Sequence, residues 1–315
     1  MHQTSLCPIC NHHSHYDFSG RDLMFNKFER YDYYRCQNCE FIFQHPLPSP
    51  AVIASFYPDN YDVYKEETRI KNISAVRKAI LKKYYGYKHL DVPAYLIFIS
   101  PLLKLLYKQH EIAYINNGSL LDIGCGNGRF LEGMKSLGWQ VKGVEFNAHA
   151  VEVCQKSLLD VHHGDLKSAN FPSTSFDIVN ISHVIEHVPN TLEFIAEVSR
   201  ITKPNGQVFI KTPNNDALGR SFFATNWYAN DVPRHLYLFS KKNLAQLANA
   251  HDFGVSHIET SSSAKIILNS YDYVVKNHGK ASKRVKWKRF IAKIYVFFAR
   301  CTKRGDEIAV TFIKK

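Results

Sequence analysis

Residues 119–128 read Ser-Leu-Leu-Asp-Ile-Gly-Cys-Gly-Asn-Gly, a short apolar run that breaks into glycine at every second position and leads straight into a helix-forming stretch. Gly124, Gly126 and Gly128 let the backbone turn tightly, and a ligand can approach bare peptide groups where a side chain would otherwise stand. Further strand patterns follow. Gln140–Glu145 (QVKGVE) ends in an acid, Gly164-Asp165-Leu166 closes a short third strand, and Phe176–Ser182 (FDIVNIS) runs into His183-Val184-Ile185-Glu186-His187. The turn Lys203-Pro204-Asn205-Gly206 introduces a fifth strand at Gln207–Thr212, and the last strand is Asp306–Lys314. Helical patterns lie between these strands, and that alternation predicts an α/β fold with a parallel sheet covered on both faces.

The glycine spacing bears on the ligand. A dinucleotide site places its third glycine one residue later, so that a pyrophosphate sits on the helix N-terminus. The closer spacing here suits S-adenosylmethionine (SAM), which has no phosphate but carries an ammonium, a carboxylate and a sulfonium. Asp122 at the strand end is placed to attract the positive groups, while backbone amides take the carboxylate. Glu145, about twenty residues after the loop, is at the distance that suits a ribose diol. Asp165 and the neighbouring amide of Leu166 are positioned to read an adenine edge. A non-catalytic adaptor would have no physical need for this set of residues.

In this order and spacing, LLDIGCGNG, GVE, GD, FDIV and KPNG resemble the class I SAM-dependent methyltransferases over about residues 116–260. The resemblance implies a Rossmann-like seven-stranded methyltransferase sheet. It assigns Asp122, Gly124, Gly126, Glu145 and Asp165 to the cofactor, with Gly128 and Leu166 from the same two loops and Ser182 and His183 lining the cofactor's other side. The amine-methylating branch of the family often carries Asn/Asp-Pro-Pro-aromatic after the fourth strand. This chain has Ser182-His183-Val184, which points away from amine acceptors.

Four of the seven cysteines form Cys7-Pro-Ile-Cys10 and Cys36-Gln-Asn-Cys39. Paired C-x-x-C hooks offer two thiolates per tight turn and read as a tetrahedral structural zinc site. The residues between them make only a small sheet, so the metal would supply much of the folding energy. A redox disulfide pair is the other reading, and His12, His13 and His15 crowd the first hook as substitute ligands. The expected organisation is a zinc-ribbon-like module at 1–50, a basic helical connector at 51–115, and a catalytic domain at 116–315 interrupted by an insertion at about 261–305. No N-terminal apolar segment reads as a signal peptide, which predicts a cytoplasmic protein.

The net charge of +12 is concentrated in the additions. Residues 276–304 hold eleven Lys or Arg and no acid, and residues 65–110 hold ten basic residues against three acids. Phe290, Ile291, Ile294, Tyr295, Phe297 and Phe298 recur at helical spacing, with Lys286, Arg289, Lys293 and Arg300 between them. Residues 92–107, VPAYLIFISPLLKLLY, are sixteen long and interrupted by Pro101. That is short of the roughly twenty needed to span a bilayer. Both segments suit either a helix lying on the inner face of a membrane or a helix capping the sheet.

Methyl transfer aligns a nucleophile with the sulfonium and, for a hydroxyl, removes a proton. The candidates are His183, Glu186, His187 and His235. The block Asp231–Ser240 and the Cys-Pro-x-Cys hook followed by Phe-x-Phe-x-His-Pro-Leu-Pro-Ser-Pro resemble methyltransferases of bacterial surface-polysaccharide gene clusters. That resemblance implies a sugar-nucleotide or glycan substrate, with Arg234 on a phosphate or carboxylate and His235 as base. Glu186, His187 and His235 also resemble the acid and histidines with which ubiquinone-pathway and small-RNA O-methyltransferases hold a divalent ion. Those families have a further acid where His183 stands. An RNA methyltransferase, gripping phosphates with its zinc hooks and basic segments, is the alternative function. The expected acceptor atom is oxygen, with carbon as the other option.

Overall fold

A strand too short to bury a face alone survives by pairing, and the N-terminal segment is built this way. In the computed structural model, which describes residues 5–57, 73–107, 111–277 and 286–315, β1 (Ser5–Leu6), β2 (His13–Arg21), β3 (Arg30–Cys36) and β4 (Ile42–Gln44) pair antiparallel in order. Helix α1 (Pro50–Ala54) follows, capped by Ser49 with proline at its first turn. Of the segment read as a connector, α2 (Ala75–Tyr84) and α3 (Ala94–Leu106) are helical as expected. Its residues 58–72 and 108–110 lie outside the described residues, as do 278–285 of the second basic stretch.

The glycine turn joins β5 (Ser119–Ile123) to α4 (Arg129–Ser136). After it come β6 (Gln140–Glu145), α5 (Ala148–Lys156), β7 (Val161–His163), β8 (Phe176–Ser182), α6 (Thr191–Ile201) and β9 (Thr202–Pro213). β9 begins earlier than the sequence pattern indicates. It absorbs the Lys203–Gly206 turn, where Asn205 takes a left-handed φ of 62°. The chain continues through α7 (Leu218–Phe223), β10 (Tyr237–Leu238), α8 (Lys241–Ala250), β11 (Phe253–Ser261), α9 (Ala264–Asn277), α10 (Lys286–Cys301) and β12 (Glu307–Lys314).

The large sheet has seven strands in the order β11-β12-β9-β8-β5-β6-β7. β5, β6 and β7 run parallel, and β12 is antiparallel to both its neighbours. β5 has β6 on one side and β8 on the other, so the winding reverses there. In open α/β sheets such a switch point is where ligands bind.

Two compact units partition the chain. One takes in Met1–Tyr61, Ile181–Arg200 and Gln207–Lys315, the other Asp62–Asn180 and Ile201–Gly206. Within the first, the N-terminal strands do not close on themselves at residue 50. β10 joins their sheet beside β4, with Tyr237 opposite Phe43 and Leu238 opposite Ile42. Phe41 packs against Phe239 and Tyr237 at centroid distances of 5.2 and 5.5 Å. Ser240 and Asn243 form the capping box of α8, and Asn243 also donates to the Cys39 carbonyl at 2.8 Å.

Candidate active site

In the second unit, the amides of Gly124 and Cys125 both donate to the Val144 carbonyl of β6, at 2.8 and 3.2 Å, and this fixes the start of the loop. Gly126 follows at φ 54°, and a Cβ built on it meets nothing within 4 Å. Its bareness faces open space, as a ligand-approach position requires. Gly128 is different. A Cβ there would stand 2.5 Å from Leu159 Cδ1 and 2.8 Å from Cys154 Sγ. The lack of a side chain at Gly128 therefore serves packing, letting the end of α5 and Leu159 close against the loop.

Glu145 Oε2 accepts from the Gly126 amide and Oε1 from the Asn147 amide, both at 2.8 Å, so the acid at the end of β6 is held against the loop. Asp122 is buried and accepts from Asn180 Nδ2 at 2.7 Å. Burial pushes its carboxyl up to about 7, although the Asn180 hydrogen bond opposes the shift. Asp165 is exposed, and Oδ1 accepts from the Ser168 amide at 2.7 Å, while Leu166 is buried. Cys154 Sγ donates to the Gly126 carbonyl at 3.3 Å.

The first unit gathers Glu186, His187 and His235, whose ligand-type atoms lie within 4.8 Å of one another. β8 ends at Ser182, and the short helical turn Ile185–His187 that follows carries two of the three. His187 Nδ1 bonds the Arg234 carbonyl at 2.9 Å and the Tyr57 hydroxyl at 3.0 Å. His235 Nδ1 bonds the Ala229 carbonyl at 3.0 Å. A carbonyl accepts only, so each Nδ1 carries a proton, and in the neutral form of either ring the lone pair is on Nε2. Glu186 is buried, and its Oε2 accepts from the Thr212 hydroxyl at 2.9 Å. Its Oε1 has no well-aligned hydrogen bond; His183 Nδ1 stands 3.3 Å from it and His235 Nε2 4.0 Å.

These surroundings define the charges. Burial, with His187 alongside, pushes the His235 imidazole down to about 4. The ring is therefore neutral at neutral pH. Burial works against ionising Glu186, yet His183 and the other two imidazoles hold it down to about 2. His183 sits at φ 56°, between Glu186 and Glu307, the latter 2.9 Å from its Nε2. Burial opposes its charge, but the two carboxylates push it up to about 9, so it is an imidazolium at neutral pH.

Arg234 requires a correction. Its side chain has no exposure, and it donates to Asp22 at 2.8 and 3.2 Å and to Asp231 at 2.7 to 3.1 Å. Both edges of the guanidinium are occupied, which leaves no fork for a substrate phosphate. Its contribution to the cluster is the backbone carbonyl that orients His187. Thr212, Ala229, Asp22, Asn180 and Glu307 went unrecognised in the sequence. Backbone carbonyls carry no sequence signature, and the other partners are remote in the chain.

The four hook cysteines also converge. Sγ separations are 3.6 Å for Cys7 and Cys39, 3.4 Å for Cys10 and Cys36, and 3.5 Å for Cys10 and Cys39. Amides of Ile9, Asn38 and Cys39 point at the sulfurs at 3.4 Å. His12, His13 and His15 are exposed and outside this group.

A family model for a methyltransferase domain matches residues 99–258, just over half of the chain. The chain is 34% identical over 110 residues to the mitochondrial ubiquinone biosynthesis O-methyltransferase of Schizosaccharomyces pombe, a match that takes in 32% of this chain and 40% of that one. It is 28% identical over 161 residues to the ubiquinone biosynthesis O-methyltransferase of Burkholderia orbicola, covering 47% and 69% respectively. A solved SAM-dependent methyltransferase from Archaeoglobus fulgidus aligns at 21% identity and a TM-score of 0.46, over 75% of this chain and 98% of that one. The family match spans the glycine loop, the acid-bearing strands and the histidine cluster, and on it the chain belongs to the methyltransferase-domain family and is a SAM-dependent methyltransferase.

Proposed function

We propose that this enzyme methylates a hydroxyl on an acceptor with two adjacent oxygens, a sugar ring of a nucleotide-sugar or glycan precursor being the class to test first, and that Glu186, His187 and His235 hold a divalent ion beside that acceptor. One observation supports this above the rest: a ligand-type atom from each of two imidazoles and a carboxylate gather within 4.8 Å of one another in a largely buried place, and Glu186 Oε1 has no well-aligned hydrogen bond. Two imidazoles and a carboxylate are a donor set suited to a divalent metal. When bound, such an ion would polarise the acceptor oxygens and ease loss of the hydroxyl proton. Relatives named as O-methyltransferases support the choice of oxygen as acceptor.

The chain's own residues set the geometry. Carbonyls of Arg234 and Ala229 hold the two rings in one tautomer, and the Thr212 hydroxyl holds the carboxylate. Glu145, Gly126 and Asp122 are proposed to receive SAM. The four hook cysteines are proposed to bind a structural zinc. A tetrahedral Zn–S shell at about 2.3 Å requires sulfurs roughly 3.8 Å apart, near the 3.4 to 3.6 Å separations of the cluster.

The test is transfer of labelled methyl from SAM into fractionated cell extract by wild type and by Gly126→Arg. Label in a sugar-nucleotide or glycolipid fraction, lost in the variant, supports the proposal. Label that ribonuclease removes would replace the sugar with RNA, and label confined to small catechols would replace it with an aromatic acceptor.

A further inference from the structure

We propose that helix α10 docks on anionic lipid headgroups. At 100° per residue its side chains fall into three sectors. Ala292, Tyr295 and Ala299 form the first; they are buried and pack with Ile267 of α9. Phe290, Ile291, Ile294, Phe297 and Phe298 form the second, and all five are exposed, Phe290 by 66% and Phe297 by 63%. Arg289, Lys293 and Arg300 form the third, an exposed basic edge bordering the apolar one. The helix is therefore anchored to its own unit by one face and presents a second apolar face outward.

Three occupants compete for that face, and charge separates them. A second copy meeting it face to face would bring the Arg289, Lys293 and Arg300 edge against itself. Residues 276–304 hold eleven basic residues and no acid to relieve the repulsion. A nucleic acid would satisfy the charges but leave five large apolar side chains in water. An anionic bilayer surface satisfies both, with the aromatics at the headgroup and acyl boundary and the cations among the phosphates. Among the described residues, no helix is long and apolar enough to cross a membrane, so the contact is interfacial.

The test is flotation of the full-length protein with vesicles of phosphatidylcholine alone or with about one third phosphatidylglycerol, at low salt. Wild type should float with the anionic vesicles and stay at the bottom with the neutral ones. About 1 kcal/mol per basic side chain near an anionic surface corresponds to roughly fivefold in binding. Arg289→Gln/Lys293→Gln/Arg300→Gln should then weaken the partition about a hundredfold. Phe290→Ser/Phe297→Ser should abolish flotation while retaining the circular dichroism of the wild type, since both side chains are exposed. Wild type that never floats, or either variant floating like wild type, overturns the proposal. So does light scattering that finds a dimer dissolved by Phe290→Ser/Phe297→Ser, which would give the face to a second copy.

Discussion

Arg234→Met separates a structural arginine from a substrate-binding one. The guanidinium is fully buried between Asp22, 1% exposed, and Asp231, 11% exposed. Methionine keeps much of the volume but removes the guanidinium that these two carboxylates share. Breaking a buried ion pair by removing one partner costs about 3–5 kcal/mol, because the remaining charge is left uncompensated. Against typical stabilities of about 5–15 kcal/mol, that is a large fraction. With a urea slope of about 2–3 kcal/mol per molar, the unfolding midpoint should fall on the order of 1–2 M. Where Arg234→Met remains folded, SAM affinity should hold, since Asp122, Gly126 and Glu145 lie in the other unit. Methyl transfer should fall, because losing the side-chain anchor to Asp22 and Asp231 lets the backbone carbonyl of position 234, which orients His187, shift. Asp22→Asn/Asp231→Asn/Arg234→Met, which removes all three charges, should recover much of the stability. An Arg234→Met protein that unfolds like wild type but shows a raised KM for a phosphorylated acceptor would refute this account and return Arg234 to substrate recognition.

Purified protein should carry one zinc per chain by elemental analysis, and Cys36→Ser should lose it. Methyl transfer should fall with the metal, because β10, next to His235 in the chain, pairs with β4 of the same small sheet. Gly126→Arg should abolish SAM binding by calorimetry. Gly128→Ala should instead lower thermal stability, since its Cβ would clash with Leu159 and Cys154 at a φ of 79°. The buried Asp122 carboxyl is pushed up to about 7, so the folded state retains a proton that the unfolded chain releases near pH 4. Stability of the SAM-free protein should therefore decline as pH rises from about 4 to 7 by on the order of 4 kcal/mol, a slope that Asp122→Asn should remove.

The sheet was legible because strand patterns, turn glycines and strand-end acids recur in one order along the chain. QVKGVE and FDIVNIS coincide with β6 and β8 to the residue. The cysteine hooks were legible because C-x-x-C spacing encodes its own turn. Two things were not. β10 is two residues long, too short for periodicity to register, and only the fold reveals that it completes the sheet containing the hooks. Arg234 and His235 are adjacent in sequence and both polar, yet one is sealed in an ion-pair triad while the other turns its ring toward Glu186. Sequence gives no sign of which neighbour enters the ion-pair triad, because Asp22, the residue that decides it, lies about two hundred positions away.

The most direct test of the Glu186, His187 and His235 centre is a pair of measurements on Glu186→Gln: SAM affinity by calorimetry, and the rate of methyl transfer with and without added divalent cation. The account predicts SAM affinity within about twofold of wild type, a rate lower by about a hundredfold or more, and no response to the cation that stimulates the wild type. Equal rates in the two proteins, or a loss of SAM binding that accounts for the whole effect, would contradict an acceptor-side role for these residues.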